Sequence, residues 1–273
     1  MSNTVDLTDK ILVVGGGRMG SAIIEGWLKQ GVSPASIYLI DNNRDALKVY
    51  SDKGLHTFES VENVPQGLEF KVFLLALKPQ IIVKHLAQFN RLISPSTCLV
   101  SVAAGVMVQT LLDMLPNVNH VVRVMPNTPA MIGKGVSVGF SESRSLFETL
   151  IETLFASLGK FYWVSNEEEM HAVTAVSGSG PAYLFYFAQC FIEAAQSLDL
   201  EAEFAKELAL NTLIGAARLI EESGIDVETL RQNVTSPNGT TQAGLEALMS
   251  NNEIKERVEA CCVAARKRSI ELA

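Results

Sequence analysis

Ile11-Leu12-Val13-Val14-Gly15-Gly16-Gly17-Arg18-Met19-Gly20 decides the fold of the first half of this chain. An apolar run enters the pattern G-x-G-x-x-G directly, and a helix-compatible segment, residues 21–30, follows without a break. That order has a chemical reason. Gly15 allows a tight turn, Gly17 lets a pyrophosphate approach the backbone, and Gly20 lets the helix pack close on the strand. The phosphates then meet the free N–H groups and partial positive charge of the helix N-terminus. A second apolar run, residues 37–41, ends in Asp41, 21 positions beyond Gly20 (41 − 20 = 21). An acidic side chain near that spacing can hydrogen-bond a ribose 2′-hydroxyl. Strand, glycine loop, helix and acidic strand end together predict a dinucleotide-binding α/β domain.

Composition sets the outer limits. The chain has 273 residues, 48% of them apolar and 19% charged, enough for one large domain or two ordinary ones. A net charge of −8 argues against a nucleic-acid partner, because such proteins present a basic face. No apolar stretch approaches the roughly 18–20 residues of a membrane span. The segment from Met1 to Lys10 is polar and acidic, unlike a signal peptide. Four scattered cysteines (Cys98, Cys190, Cys261, Cys262), with no C-x-x-C, read as reduced, mostly packed thiols. A cytoplasmic protein with no membrane partner is therefore expected. The histidines His56, His85, His120 and His171 show no metal-ligand spacing, so no metal is expected, and no G-x-S-x-G elbow occurs.

Hydrophobic patterning divides the chain at 165/166. Apolar runs at 11–15, 37–41, 71–76, 97–102, 120–124, 136–140 and 161–164 alternate with helical stretches such as 79–92, 108–115 and 146–159. Alternation of this kind predicts a parallel sheet covered on both faces over residues 1–165. Residues 166–273 hold no convincing strand and three long helical stretches, 167–198, 202–223 and 253–272. Ala182-Tyr183-Leu184-Phe185-Tyr186-Phe187-Ala188 is apolar all round, so that helix must be buried on every side. In so small a region the simplest burial is against a second copy of the chain, the alternative being a helix at the centre of one compact bundle.

Several segments carry candidate chemistry. Asp41 favours NADH, yet Arg44, after Asn42 and Asn43, is placed to receive a 2′-phosphate, so both nicotinamides stay open. Leu77, Lys78 and Pro79 follow a strand end, where ligands of open parallel sheets sit, and Pro79 can start the next helix. Ala103-Ala104-Gly105 ends the next strand with small residues that leave room for a flat ring. Arg123-Val124-Met125-Pro126-Asn127-Thr128-Pro129-Ala130 is a dense turn, read equally as a rigid loop or a contact. Ser177-Gly178-Ser179-Gly180-Pro181 interrupts a helical stretch, at about 1 kcal/mol for each glycine and 3 for an interior proline. Such a break points to close backbone approach by a ligand or a helix. Val234-Thr235-Ser236-Pro237-Asn238-Gly239-Thr240-Thr241 joins hydroxyls to a helix start, an anion site that needs no arginine.

In their order, these segments resemble the pyrroline-5-carboxylate reductase family, over residues 11–272; the most specific stretches are 123–130, 173–183 and 234–248. The resemblance implies a Rossmann-type dinucleotide-binding domain followed by an all-helical dimerisation domain. It implies hydride transfer from NADPH or NADH to the C=N carbon of L-1-pyrroline-5-carboxylate, giving L-proline. It also implies a homodimer, or a larger homo-oligomer of dimers. By position, Gly15, Gly17, Arg18, Met19 and Gly20 would hold the pyrophosphate, and Asp41 and Asn42 the adenosine ribose. Leu77, Lys78, Pro79 and Ala104 would flank the nicotinamide half, with Asn233 a further cofactor contact. Substrate contacts would come from Glu167, Ser177, Ser179, Ser236, Asn238, Gly239, Thr240 and Thr241, the Thr241 hydroxyl facing the ring nitrogen. The family places two glycines after the proline; Asn238 replaces the first, and Asn tolerates left-handed backbone angles. Related hydroxyacid dehydrogenases carry a lysine four residues beyond such a glycine turn, where this chain has Leu184. A protonated imine needs no oxyanion partner, so the missing lysine favours C=N over C=O reduction.

Overall fold

A computed structural model describes residues 9–273; most of the polar N-terminal segment, residues 1–8, lies outside the described residues. Eight strands form one sheet: β1 (Ile11–Val14), β2 (Ile37–Ile40), β3 (His56–Phe58), β4 (Val72–Leu75), β5 (Cys98–Ser101), β6 (His120–Met125), β7 (Gly135–Phe140) and β8 (Gly159–Trp163). Their order is 3-2-1-4-5-6-7-8. The first six repeat the doubly wound dinucleotide-binding order, with the chain reversing direction across the sheet between β1 and β4. The pleat sorts the core into two layers. Ile11, Val13, Leu39, Leu74, Val100 and Val122 face one side. Leu12, Val14, Ile40, Leu75, Leu99 and Val121 face the other. Both layers are buried, which is why these strands read as near-continuous apolar runs.

The helices are α1 (Arg18–Lys29), α2 (Arg44–Asp52), α3 (Pro79–His85), α4 (Val108–Met114), α5 (Arg144–Phe155), α6 (Glu169–Val173), α7 (Gly180–Gln196), α8 (Ala202–Ser223), α9 (Val227–Asn233), α10 (Thr240–Leu248) and α11 (Glu253–Glu271). Four expectations are corrected. The sheet is not wholly parallel: β7 runs antiparallel to β6, because residues 126–134 are too few for a crossover. β3 was not expected, being only three residues long and half exposed. The stretch 79–92 is α-helical only to His85 and continues as 3₁₀ turns. The stretch 167–198 is broken into α6, a π turn over Thr174–Gly178, and α7.

The chain forms two compact units, one of the described residues up to Ser179 together with Ala265–Ala273, the other of Gly180–Ala264. Composition turns helical at 165, whereas the first unit continues to 179 because α6 packs against β7. α11 belongs to both units. Within the first, Ser269 Oγ lies 2.9 Å from His171 Nδ1, both residues buried. In the second, α7 packs on α8, and Asp226 caps α9 through the N–H groups of Glu228 and Thr229. Leu184, Phe185 and Tyr186 are each at least two-thirds exposed (70%, 67% and 67%), so the single chain leaves this apolar helix uncovered. An apolar groove of about 1040 Å³ runs along it, lined by Tyr183, Phe187, Cys190, Phe191, Val258 and Cys261.

The expectation of mostly packed thiols is corrected too: only Cys98 is buried, while Cys190 and Cys261 are exposed in the single chain. Burial pushes the Cys98 thiol up to about 12. Among the described residues no helix is long and apolar enough to cross a membrane, and no cluster of metal-ligating side chains forms. Trp27 ties α1 to α5: it is fully buried, and its Nε1 donates to the Leu154 carbonyl at 2.7 Å. Trp27→Phe removes that donor from a buried acceptor, so we expect a loss of about 1–3 kcal/mol of stability. A urea midpoint equal to that of the parent would contradict it.

Candidate active site

The glycine loop is shaped by contacts within the chain itself. Gly15 has φ +102°, a left-handed value that disfavours a side chain, and a Cβ there would lie 2.6 Å from the Ala76 carbonyl oxygen. A Cβ on Gly20 would lie 2.0 Å from the Gly15 carbonyl oxygen, so α1 could not start where it does with any larger residue. A Cβ on Gly17 would meet nothing within 4 Å. Packing therefore does not explain Gly17, and its open face is what a pyrophosphate needs. Gly17 is also the N-cap of α1 and offers no side-chain cap to the N–H groups behind it. Ser21 Oγ donates to the Gly16 carbonyl at 2.7 Å and closes the loop from the first helical turn. Met19 packs against the core, while Arg18 is exposed. The loop fits a dinucleotide.

Asp41 stands directly beside it. Its Oδ2 accepts from the Gly16 N–H at 2.5 Å, and its Oδ1 from the Asn43 N–H at 2.7 Å. Asn43 in turn caps α2 through the N–H groups of Asp45 and Ala46. A carboxylate has about four acceptor positions, so two remain for ribose hydroxyls. Asn42 is exposed next to it. Arg44, the residue suited to a 2′-phosphate, pairs with Glu59 at 2.9 Å on the exposed surface. Such pairs are worth about 0–1 kcal/mol, so this one does little to withhold the guanidinium.

The next crevice wall comes from the ends of β4 and β5. Leu77 would touch a Cβ on Gly15 at 3.0 Å, which places this turn against the glycine loop. Lys78 is exposed and is the N-cap residue of α3, with Pro79 in its first turn. Ala104 follows the neighbouring strand β5 and is half-buried. The structure thus gathers Gly15, Gly17, Arg18, Gly20, Asp41, Leu77 and Ala104 along the C-terminal ends of adjacent strands, where α/β sheets bind ligands.

Three of the expected substrate residues sit in the first unit and already have internal partners or fixed places. Glu167 Oε1 accepts from Arg123 Nη1 at 2.5 Å and from the Val108 N–H at 2.8 Å. Arg123 is buried, at 4% exposure, so Glu167 is the counter-charge to a cation inside the protein. Removing one partner from such a pair costs about 3–5 kcal/mol. Ser177 Oγ donates to the Val173 carbonyl at 3.0 Å, and Ser179 closes the π turn through its N–H to the Thr174 carbonyl at 2.8 Å. Sequence reasoning missed the Arg123–Glu167 pair and the role of Ser21. A lone arginine in an apolar strand was the available signal for the first.

The remaining residues lie in the second unit. Asn233 ends α9 and is exposed. Asn238 adopts φ +58°, the left-handed conformation expected of it, and its N–H donates to Gln242 Oε1 at 2.7 Å. The Gly239 N–H donates to the Ser236 carbonyl at 3.0 Å, and a Cβ on Gly239 would lie 2.4 Å from Ser236 Oγ. The Gly239 N–H thus closes the turn. No side chain caps α10, and the N–H groups of Thr240 and Thr241 have no partner among the described residues. Both threonines are exposed. Two aligned donors with adjacent hydroxyls make an anion site of small size.

Comparison with known proteins places this geometry. Residues 167–272 match the family model described as pyrroline-5-carboxylate reductase dimerisation, and residues 10–105 match one described as NADP oxidoreductase coenzyme F420-dependent. A pyrroline-5-carboxylate reductase of Haemophilus influenzae is 36% identical, over 92% of this chain and 94% of its own. A solved structure of a pyrroline-5-carboxylate reductase from Coxiella burnetii has a TM-score of 0.89 at 32% identity, covering 97% of this chain and 99% of that one. One from Plasmodium falciparum, with NADP bound, has a TM-score of 0.83 at 28% identity, covering 97% and 98%.

The position of Asp41 yields a prediction on cofactor choice. Like charges about 4 Å apart repel by about 1 kcal/mol even at the dielectric of water, and a 2′-phosphate carries nearly two. Asp41→Ser is expected to raise the NADPH-to-NADH ratio of kcat/KM about tenfold or more. A ratio unchanged in side-by-side steady-state assays would remove Asp41 from cofactor selection.

Proposed function

Because the chain belongs to the pyrroline-5-carboxylate reductase family, we propose that it reduces the C=N bond of L-1-pyrroline-5-carboxylate with NAD(P)H to give L-proline, the last step of proline synthesis. The observation carrying this reading is that the likeness runs through both units, and so includes the glycine loop and the Ser236–Thr241 turn together. When bound, the reduced nicotinamide supplies the hydride. Everything else is positioning by the chain.

In this reading the loop from Gly15 to Gly20 and the start of α1 hold the pyrophosphate, and Asp41 and Asn42 hold the adenosine ribose. Leu77, Lys78, Pro79 and Ala104 flank the nicotinamide half, and Asn233 adds a contact from the helical unit. The N–H groups of Thr240 and Thr241 hold the substrate carboxylate, within a turn shaped by Ser236, Asn238 and Gly239. The Thr241 hydroxyl hydrogen-bonds the ring nitrogen and orients the imine plane. Ser177 and Ser179 contribute through the backbone of the π turn, because the Ser177 hydroxyl already donates to Val173. A protonated imine is electrophilic without further help, so no oxyanion donor is required. Hydride adds to the ring carbon, the C=N π pair becomes a lone pair on nitrogen, and the product is a neutral ring amine. Holding two reactants in a near-attack arrangement can supply up to about 7–11 kcal/mol.

The uncovered apolar face of α7 and the dimerisation model over α6–α11 support a homodimer, and assembly of dimers into a larger homo-oligomer is the extended form of this proposal. The dispersed free cysteines support a reducing, cytoplasmic setting. Three measurements test the reading. Loss of nicotinamide absorbance should depend on pyrroline-5-carboxylate; robust turnover of a small keto acid with none of the imine would defeat the assignment. Thr241→Ala should lower kcat by about tenfold to a hundredfold while leaving NADH affinity near that of the parent. Unchanged turnover would take Thr241 out of the mechanism. In sedimentation the active species should be a dimer or larger, and an active monomer would refute the assembly.

A further inference from the structure

The dense turn after β6 is not used by the reading above, yet it and the strand before it are joined at three points to the segment that contains the π turn. Arg123, Met125 and Asn127 are alternate residues of β6 and its exit, and all three reach the segment 167–178. Arg123 Nη1 donates to Glu167 Oε1 at 2.5 Å, at the entry to α6. Met125 Cε lies where a Cβ on Gly178 would come within 2.4 Å, at the end of the π turn. Asn127 Nδ2 donates to the Ser177 carbonyl at 3.1 Å, and its Oδ1 accepts from the Val136 N–H at 2.9 Å.

The third contact has a local cause. In a continuing α-helix the Ser177 carbonyl would accept from the N–H four residues on, and that residue is Pro181, which has none. The proline leaves an orphan acceptor, and the buried Asn127 amide supplies the missing donor. A single π turn next to this site marks where the helix was remade to fit, as such turns do at functional positions. Directly beyond it, at Gly180, the chain enters the unit that carries Thr240 and Thr241.

We infer that Arg123, Met125 and Asn127 are positioning residues: together they fix the backbone of residues 167–179, and with it the π-turn groups of Ser177 and Ser179 that the functional reading assigns to the substrate. Their effect is on the substrate contacts made by the π turn, so this inference rests on the imine-reductase reading.

Asn127→Asp separates the clamp from the fold. It keeps the acceptor for the Val136 N–H, removes the donor to Ser177, and sets a carboxylate against the carbonyl. In the dimeric enzyme kcat should fall at least about tenfold, the scale of a small misplacement of reacting groups. NADH affinity should stay within about twofold of the parent, because the glycine loop is untouched. The primary isotope effect with 4-deuterated NADH should rise as hydride transfer becomes slower, and amide exchange over residues 174–180 should quicken. A folded Asn127→Asp enzyme with parental kcat, isotope effect and exchange overturns the inference. Should that variant not fold, Gly178→Ala forces a methyl onto Met125 and should slow turnover. Gly178→Ala with Met125→Ala should restore it, and failure of that rescue overturns the inference. If the parent itself does not turn over pyrroline-5-carboxylate, the functional reading fails on its own account. The exchange measurement then decides the clamp: faster exchange supports it and unchanged exchange ends it.

Discussion

The structure depends on a single close approach, that of Gly20 to the Gly15 carbonyl. With 2.0 Å between that oxygen and any Cβ on Gly20, only glycine lets α1 begin directly over the end of β1. Everything in the first unit follows from that angle. α1 lies flat enough on the sheet to bury Ile23, Ile24 and Trp27, and its first turn points uncapped N–H groups at the crevice. The same constraint reaches sideways, because Gly15 sits against Ala76 and Leu77 and so brings the β4 turn to the crevice edge. A phosphate-binding geometry and a packed helix–strand pair are one arrangement seen from two sides.

Much of this is legible in the sequence because it is local. Strands buried on both faces betray themselves as apolar runs, and the glycine spacing needs no partner to be read. What escaped is non-local or depends on counting hydrogen bonds. β3 is short and half exposed, so its residues carry no period. The reversal at β7 depends on the length of the preceding connection, not on its composition. The break after Thr174 was visible as glycines and a proline, but its form as a π turn depends on which donor replaces the one Pro181 lacks, and that donor lies fifty positions upstream in Asn127. Glu167 was read as a substrate residue on alignment alone. Its burial partner Arg123 lies 44 positions away, beyond the reach of any local pattern.

The two candidate ligand sites use the same physics with different hardware. Each presents main-chain N–H groups at a helix start, and the cations beside the cofactor crevice, Arg18 and Lys78, are exposed and not held in the core. That suits molecules that must leave after each turnover, since a buried arginine would hold a carboxylate far more tightly than dipoles do. The chain does bury an arginine, but its guanidinium is spent on Glu167. Cation strength is used for architecture, and weaker donors are left for ligands.

The turn at Asn238 bears on how the protein ages. An asparagine followed by glycine can lose its side-chain amide when the glycine nitrogen attacks it to form a cyclic imide, which then opens to a carboxylate. Here that nitrogen is engaged with the Ser236 carbonyl, so the folded turn keeps the reaction in check. Any loosening of the bend during storage would expose it and place a new negative charge beside the donors meant for an anion. Shelf life and the shape of the candidate anion site depend on the same hydrogen bond.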